Sequence, residues 1–306
     1  RLDRQQKAVE IRTKSGEAYW KWVAAGLKYQ VATSWRKIAE ERQVWMEKKF
    51  HFGDISALKL EDNRRSLAKR HSEESKTQRD FEIARAWLSL YLPQEELTLE
   101  RIAKSFPNEG LTPPELKAQA RDQLPQFKML ENEGARLAQE RRFADSLRLP
   151  DLRVGVEGAH DLGGPPKGRP QQDQLRVGLR LEIPIENRKG LGKDREVEHK
   201  LRSLNHRRLW LEREWETRGQ QNRVTVDTLT EQLQWQNLEL EKSEKMAKAE
   251  AEKLLQGASD VFFVNIREQD AAEVRLKLIE TNVMRELAFL ERRMLDGSII
   301  EGVALD

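Results

Sequence analysis

Leu175-Arg176-Val177-Gly178-Leu179-Arg180-Leu181-Glu182-Ile183-Pro184-Ile185-Glu186-Asn187-Arg188-Lys189-Gly190 changes its period halfway along. Up to Ile183, apolar residues alternate with Arg, Gly and Glu, as in a strand with one greasy and one wet face. After Pro184 the alternation stops. From about Glu186 to Leu255 apolar residues recur every three or four positions, the signature of a long helix. The same alternation precedes this stretch from Leu149 to Glu157, and Gly163-Gly164-Pro165-Pro166-Lys167-Gly168-Arg169-Pro170 lies between as a loop. A β-hairpin leading into a very long helix is the element that organises the chain.

Outward from the hairpin the sequence is helical. Leu2 to Phe50 keeps one unbroken seam of four- and three-residue steps: Ile11, Ser15, Ala18, Trp22, Ala25, Tyr29, Ala32, Arg36, Ala39, Gln43, Met46 and Phe50. At about 1.5 Å per residue this predicts a helix about 70 Å long. Phe52-Gly53-Asp54 ends it, since Gly suits a left-handed turn and Asp a following cap. A second helix is expected from about Ile55 to Leu92, with apolar ends and a middle, Lys69 to Asp80, that is polar all round and reads as facing water on two sides. Residues 93–114 hold four prolines and read as irregular, with a short helix possible over Leu97 to Lys104.

A third helix is expected over Glu115 to Leu147. The long helix after the hairpin carries one seam through Val197, Leu201, Leu204, Leu211 and Trp215 and another through Val226, Leu229, Leu233 and Leu240. Its phase slips near Gly219, which predicts a stutter or bend. Gln256-Gly257-Ala258-Ser259-Asp260 breaks it. A last helix runs to about Leu295 with Leu276, Ile279, Val283, Leu287, Leu290 and Met294 on one face. The order of long helix, glycine turn and shorter helix therefore occurs twice. Helices of about 33 and about 37 residues also match the roughly 70-residue helix between them, as two short helices stacked alongside a long one would.

The fold expected is mainly α: long antiparallel coiled-coil hairpins with one β-hairpin. Its parts are a first helical hairpin (1–92), an irregular connection (93–114), a helix leading to the strands (115–148), the β-hairpin (149–185), a second helical hairpin (186–297) and a tail (298–306).

Composition narrows the function. The 306 residues include 55 basic and 52 acidic side chains for a net charge of +3, and no cysteine. Mean hydropathy is −0.80. The near balance gives nucleic-acid binding little support, and aromatic-basic platforms are absent. Without Cys there is no disulfide framework and no thiolate zinc site. His199 and His206 share a helix face but stand two turns apart, too far for one metal. Gly163 to Arg169 lacks the Lys-Ser/Thr ending of a phosphate loop. Asn187, Arg188, Lys189, Lys193 and Arg195 form a basic cluster that reads as a solvated junction. No catalytic, cofactor-binding or metal-binding set emerges. Two strands are marginal alone in water, so their apolar face needs a cover. Strands of nine to eleven residues suit a membrane barrel, and a hairpin capping a coiled-coil scaffold in water is the competing arrangement.

Several segments resemble the TolC-type outer-membrane factor family. Leu149-Pro150-Asp151-Leu152 is similar to its LPxL lead-in to a barrel hairpin. Leu181 to Gly190 resembles its iPl-x-nRxxG exit into the long helix, in the form of heavy-metal-efflux members. Ala18-Tyr19-Trp20 through Ala25 is similar to its AYxxxxxA helix, and Gly53-Asp54-Ile55-Ser56 and Gly257-Ala258-Ser259-Asp260 to its two inter-helix turns.

The resemblance implies a homotrimer whose helices form an α-barrel tunnel and whose hairpins join a β-barrel in outer-membrane lipid. It implies passive export of small molecules or metal ions delivered by an inner-membrane transporter through a periplasmic adaptor. It gives adaptor docking to Phe52, Gly53, Asp54, Ile55, Gly257, Ala258, Ser259 and Asp260. Leu175, Val177, Leu179, Leu181 and Ile183 become the lipid face. Two departures stand out. The family carries two β-hairpins per protomer, so the other, with an N-terminal helix, is expected before Arg1. The acidic residues that some members place six and nine positions after the second turn glycine are here Phe263 and Ile266, an apolar constriction instead.

Overall fold

The computed structural model describes residues 2–102, 106–107, 116–159, 174–183 and 185–300. In chain order these form α1 (Leu2–His51), α2 (Ala57–Leu88), α3 (Ala118–Gln123), α4 (Pro125–Ser146), β1 (Asp151–Ala159), β2 (Gln174–Glu182), α5 (Arg188–Leu255) and α6 (Val261–Leu295), with short 3-10 turns at Gln94–Glu96, Leu99–Arg101 and Ser298–Ile300. They divide into two units, residues 1–125 with 214–306, and residues 126–213. None of the described helices is long and apolar enough to cross a membrane.

In the first unit α1 packs along α2, and α6 packs on both. The α1 seam is buried through its middle at Trp22, Ala32, Ala39, Gln43 and Met46, while Ile11 and Phe50 at its ends are exposed. One apolar cluster joins Trp22 and Val23 of α1 to Phe81 and Leu88 of α2, closed by Leu97 and Ile102 of the irregular connection. That connection is tied in by two 3-10 turns, at Gln94–Glu96 and Leu99–Arg101; of the short helix expected over Leu97 to Lys104, Ala103 and Lys104 lie outside the described residues. It can approach α1 because residue 26 is glycine: a Cβ there would stand 1.9 Å from Ile102 Cδ1. α5 is continuous through Gly219, where the phase slip was expected. The glycine there also admits Leu116, whose Cδ1 would lie 2.4 Å from a Cβ at that position.

Two further expectations are corrected. The third helix is interrupted at Leu124, because the proline at 125 denies the backbone before it the helical region; α3 stops and α4 starts on Pro125 itself. The middle of α2 is not wholly solvated. Arg70 is fully buried and Thr77 nearly so. The Arg70 guanidinium lies over the Trp35 ring, 4.6 Å from its centroid, and donates to Glu268 Oε2 at 2.7 Å and to the Trp35 carbonyl at 2.9 Å. Arg42 of α1 reaches the other Glu268 oxygen and donates to Asn265 Oδ1 at 2.7 Å, which also accepts from Ser66 at 3.1 Å. Burial pushes the Arg70 pKa below the usual arginine range, and Glu268 works against that shift. α1, α2 and α6 therefore meet on a buried polar knot as well as on apolar seams. Accordingly α6 buries more than one face, including Thr281, Arg285, Glu286 and Arg292.

In the second unit Leu137 of α4 packs with Val197 and Leu204 of α5. Gly190 lets the end of α4 come close: a Cβ there would meet Arg148 Cγ at 2.7 Å and the Ala144 carbonyl at 3.2 Å. Arg148 then donates to Asp194 Oδ2 at 3.0 Å. β1 and β2 pair antiparallel with Asp151 opposite Glu182, Val154 opposite Leu179 and Val156 opposite Val177.

Candidate functional site

Two features stand apart from the packed interior. One is the β-hairpin. Its register places Leu152, Val154 and Val156 on the same face as Leu175, Val177, Leu179 and Leu181. Every residue of both strands is exposed, Leu175 by 74% and Leu179 by 72%. Among the described residues nothing covers this apolar face, and an exposed face of this extent suits a partner or a lipid phase. Each strand is nine residues long, the length that spans a bilayer when tilted. Ile183 follows the end of β2 and is exposed. The loop Gly163 to Pro170 lies outside the described residues. At the exit from the hairpin the Arg188 side chain pairs with Glu186 at 2.5 Å and Lys193 with Glu196 at 3.1 Å, so these members of the basic cluster are compensated locally.

The other feature is the pair of helix turns. Gly53 has φ +78 and Gly257 φ +76. At the first, Gly53 N–H donates to the Phe50 carbonyl and Asp54 N–H to that of Lys49; at the second, Gly257 donates to Leu254 and Ala258 to Lys253. Both are Schellman caps, and the left-handed position explains the glycine in each. Three residues on, Ser56 caps α2 with extended backbone, and Asp260 caps α6 with its side chain accepting from Phe262 N–H at 3.0 Å. Phe52, Gly53, Asp54 and Ala258 are exposed, whereas Ile55 packs on Met46, Leu60 and Val261. Ser259 donates to Glu250. Asp260 also binds Lys59 Nζ of α2 at 2.7 Å, which holds its carboxyl below the usual carboxylate range together with the Phe262 N–H. Just beyond, Phe263 is 56% and Ile266 39% exposed, and Phe262 and Phe263 meet edge to face.

Sequence reasoning singled out both turns but not the bond between them, because Lys59 and Asp260 are distant in the chain and each is unremarkable by type. It also missed the Arg42–Arg70–Glu268 knot. Its residues carry no local signal: Arg42 lies off the α1 seam among other charged residues, and Arg70 lies in a run that is polar all round. Among the described residues no group of His, Asp or Glu could hold a metal ion.

No family model and no curated protein sequence matches the chain. Its fold does match solved structures. The outer-membrane channel OprN superposes with TM-score 0.75 at 17% identity, over 97% of this chain and 68% of that one. The outer membrane protein VceC of Vibrio cholerae gives 0.78 at 12%, over 97% and 72%. The CmeC outer membrane channel of Campylobacter jejuni gives 0.73 at 13%, over 97% and 64%. The chain thus has the fold of these outer-membrane channels and spans about two thirds of their length.

Proposed function

We propose that this chain is part of a protomer of an outer-membrane efflux duct that exports its cargo passively. The observation that carries the reading is the uncovered apolar face of the nine-residue hairpin, set within a fold shared with outer-membrane channels. In a barrel that face meets lipid, and every backbone group finds a partner once copies close the sheet. The helical part then forms a tunnel in the periplasm, built by three copies. Cargo, small molecules or metal ions of the kind handled by heavy-metal-efflux systems, arrives from an inner-membrane transporter through a periplasmic adaptor.

The two turns are the docking points for that adaptor. They present Phe52 and Leu255 beside their glycines, both well exposed, and share one backbone geometry, so a repeated partner surface would fit each in turn. Phe263 and Ile266 form an apolar constriction near the tip. On this reading the chain acts as a conduit.

The test uses the full-length protein. Membrane fractionation and detergent extraction should recover it as a trimer from the outer membrane; recovery in the soluble fraction without detergent would leave the coiled-coil scaffold instead. Cysteine placed at Phe52 or Ala258 should crosslink to the adaptor in cells, and absence of crosslinking from both positions would remove the docking assignment.

A further inference from the structure

The polar face of the hairpin is ordered by layers. Asp151 lies opposite Glu182, then Arg153 opposite Arg180, then Gly155 opposite Gly178, then Glu157 opposite Arg176. Successive layers on one face of a strand pair are about 7 Å apart. The glycine layer is bare, with nothing within 4 Å of a Cβ added at either position. The floor between the second and fourth layers is therefore unoccupied backbone, framed by three guanidiniums and one carboxylate. Arg153 is partly engaged by Asp151 at 2.7 Å. Among the described residues Arg176 makes a long contact to Gln174 at 3.4 Å, and Arg180 sits opposite another arginine. Like charges directly opposite weaken a strand pair. This sheet keeps that cost next to a floor without side chains, where long arginine side chains have room to turn toward a ligand.

We propose that Arg153, Arg176 and Arg180 over the Gly155–Gly178 floor form an anion-recognising band, selective for small solutes bearing a carboxylate or comparable oxyanion. Guanidinium forks bind such groups through two parallel hydrogen bonds. The inference rests on the duct reading, in which this face lines a wet lumen, and it adds which solutes the lumen favours. The acidic layer of Asp151 and Glu182 lies about 7 Å away and disfavours an anion on that side, so a solute with both charges would be held in one orientation.

The experiment is planar-bilayer recording on the full-length trimer, with the reversal potential read in a tenfold KCl gradient and the current titrated with potassium glutamate. The wild type should prefer anions, and glutamate should reduce chloride current. Replacing all three arginines by Gln should lower the chloride-to-potassium permeability ratio at least threefold and abolish the glutamate effect. Asp151→Asn with Glu182→Gln should raise the ratio. If the triple variant fails to assemble, Arg180→Gln alone should shift the ratio in the same direction. A conducting trimer whose ratio and glutamate response are unchanged by these variants overturns the band and leaves the duct standing. Absence of any conductance in the wild type removes both.

Discussion

Lys59 Nζ in the first turn of α2 lies 2.7 Å from Oδ2 of Asp260, the residue that caps α6. One carboxylate therefore caps the start of a helix and ties the two glycine turns together. Its folded-state pKa is depressed, first by Lys59 and then by the Phe262 N–H. The stability it contributes is complete above the ordinary Asp pKa of about 4 and fades as pH falls through the lowered value. Asp260→Asn should flatten the acid limb of a plot of unfolding midpoint against pH. Asp260→Ala should cost about 1 kcal/mol at neutral pH, from loss of the cap and a partly solvated ion pair. An unaltered acid limb in the Asn variant would refute this.

Glu268 receives both Arg42 and Arg70 in a site where Arg70 has no exposure. Glu268→Ala strands two buried guanidiniums and should destabilise the first unit by about 3–5 kcal/mol. A denaturant titration that shows Glu268→Ala no worse than Lys59→Ala would contradict the burial argument.

Gly26 leaves room for Ile102, and Phe81 Cε2 would also be 3.2 Å from an added Cβ. Ile102 is itself buried in the cluster, so its displacement opens a gap elsewhere. Gly26→Ala should cost about 1–3 kcal/mol by overpacking. Ile102→Ala in the same chain should recover part of that loss, and strict additivity of the two changes would count against the contact.

Gly53 and Gly257 hold left-handed backbone with open space around them, so only conformation is at stake. Valine at either should cost about 1–2 kcal/mol. Asn, which tolerates this region, should cost less. Equal losses for Val and Asn in thermal unfolding would show that the turns need something other than a positive φ.

The two faces of the hairpin give a direct comparison. On the proposed duct reading, Leu179→Arg, on the apolar face, should cost about 2–4 kcal/mol of folding into vesicles, as a charge near a bilayer midplane does. Gly178→Arg, one residue away on the polar face, should be tolerated far better. Equal penalties, read by heat-modifiable gel mobility, would rule out the assigned orientation.

Local pattern was enough for much of this molecule. The α1 seam, the strand alternation and the turn glycines were readable because each rests on period or on a single residue's φ preference, which neighbours in sequence enforce. The break at Leu124 was also written locally, in Pro125, and the continuous third helix expected there gave too little weight to the restriction a proline places on the residue before it. The middle of α2 was different. Arg70, in a run that reads as solvated, is buried because Glu268 and Trp35 arrive from two other helices. Burial of a charge depends on partners far along the chain, which no periodicity records. The same holds for Gly26 against Ile102 and Gly190 against Arg148. The sequence by itself thus determined where helices, strands and turns lie and which hairpin face is apolar. Only the tertiary structure decided which charges are interior, which glycines serve close approach, and how the two turns are joined, because these follow from distances between segments the chain order leaves free.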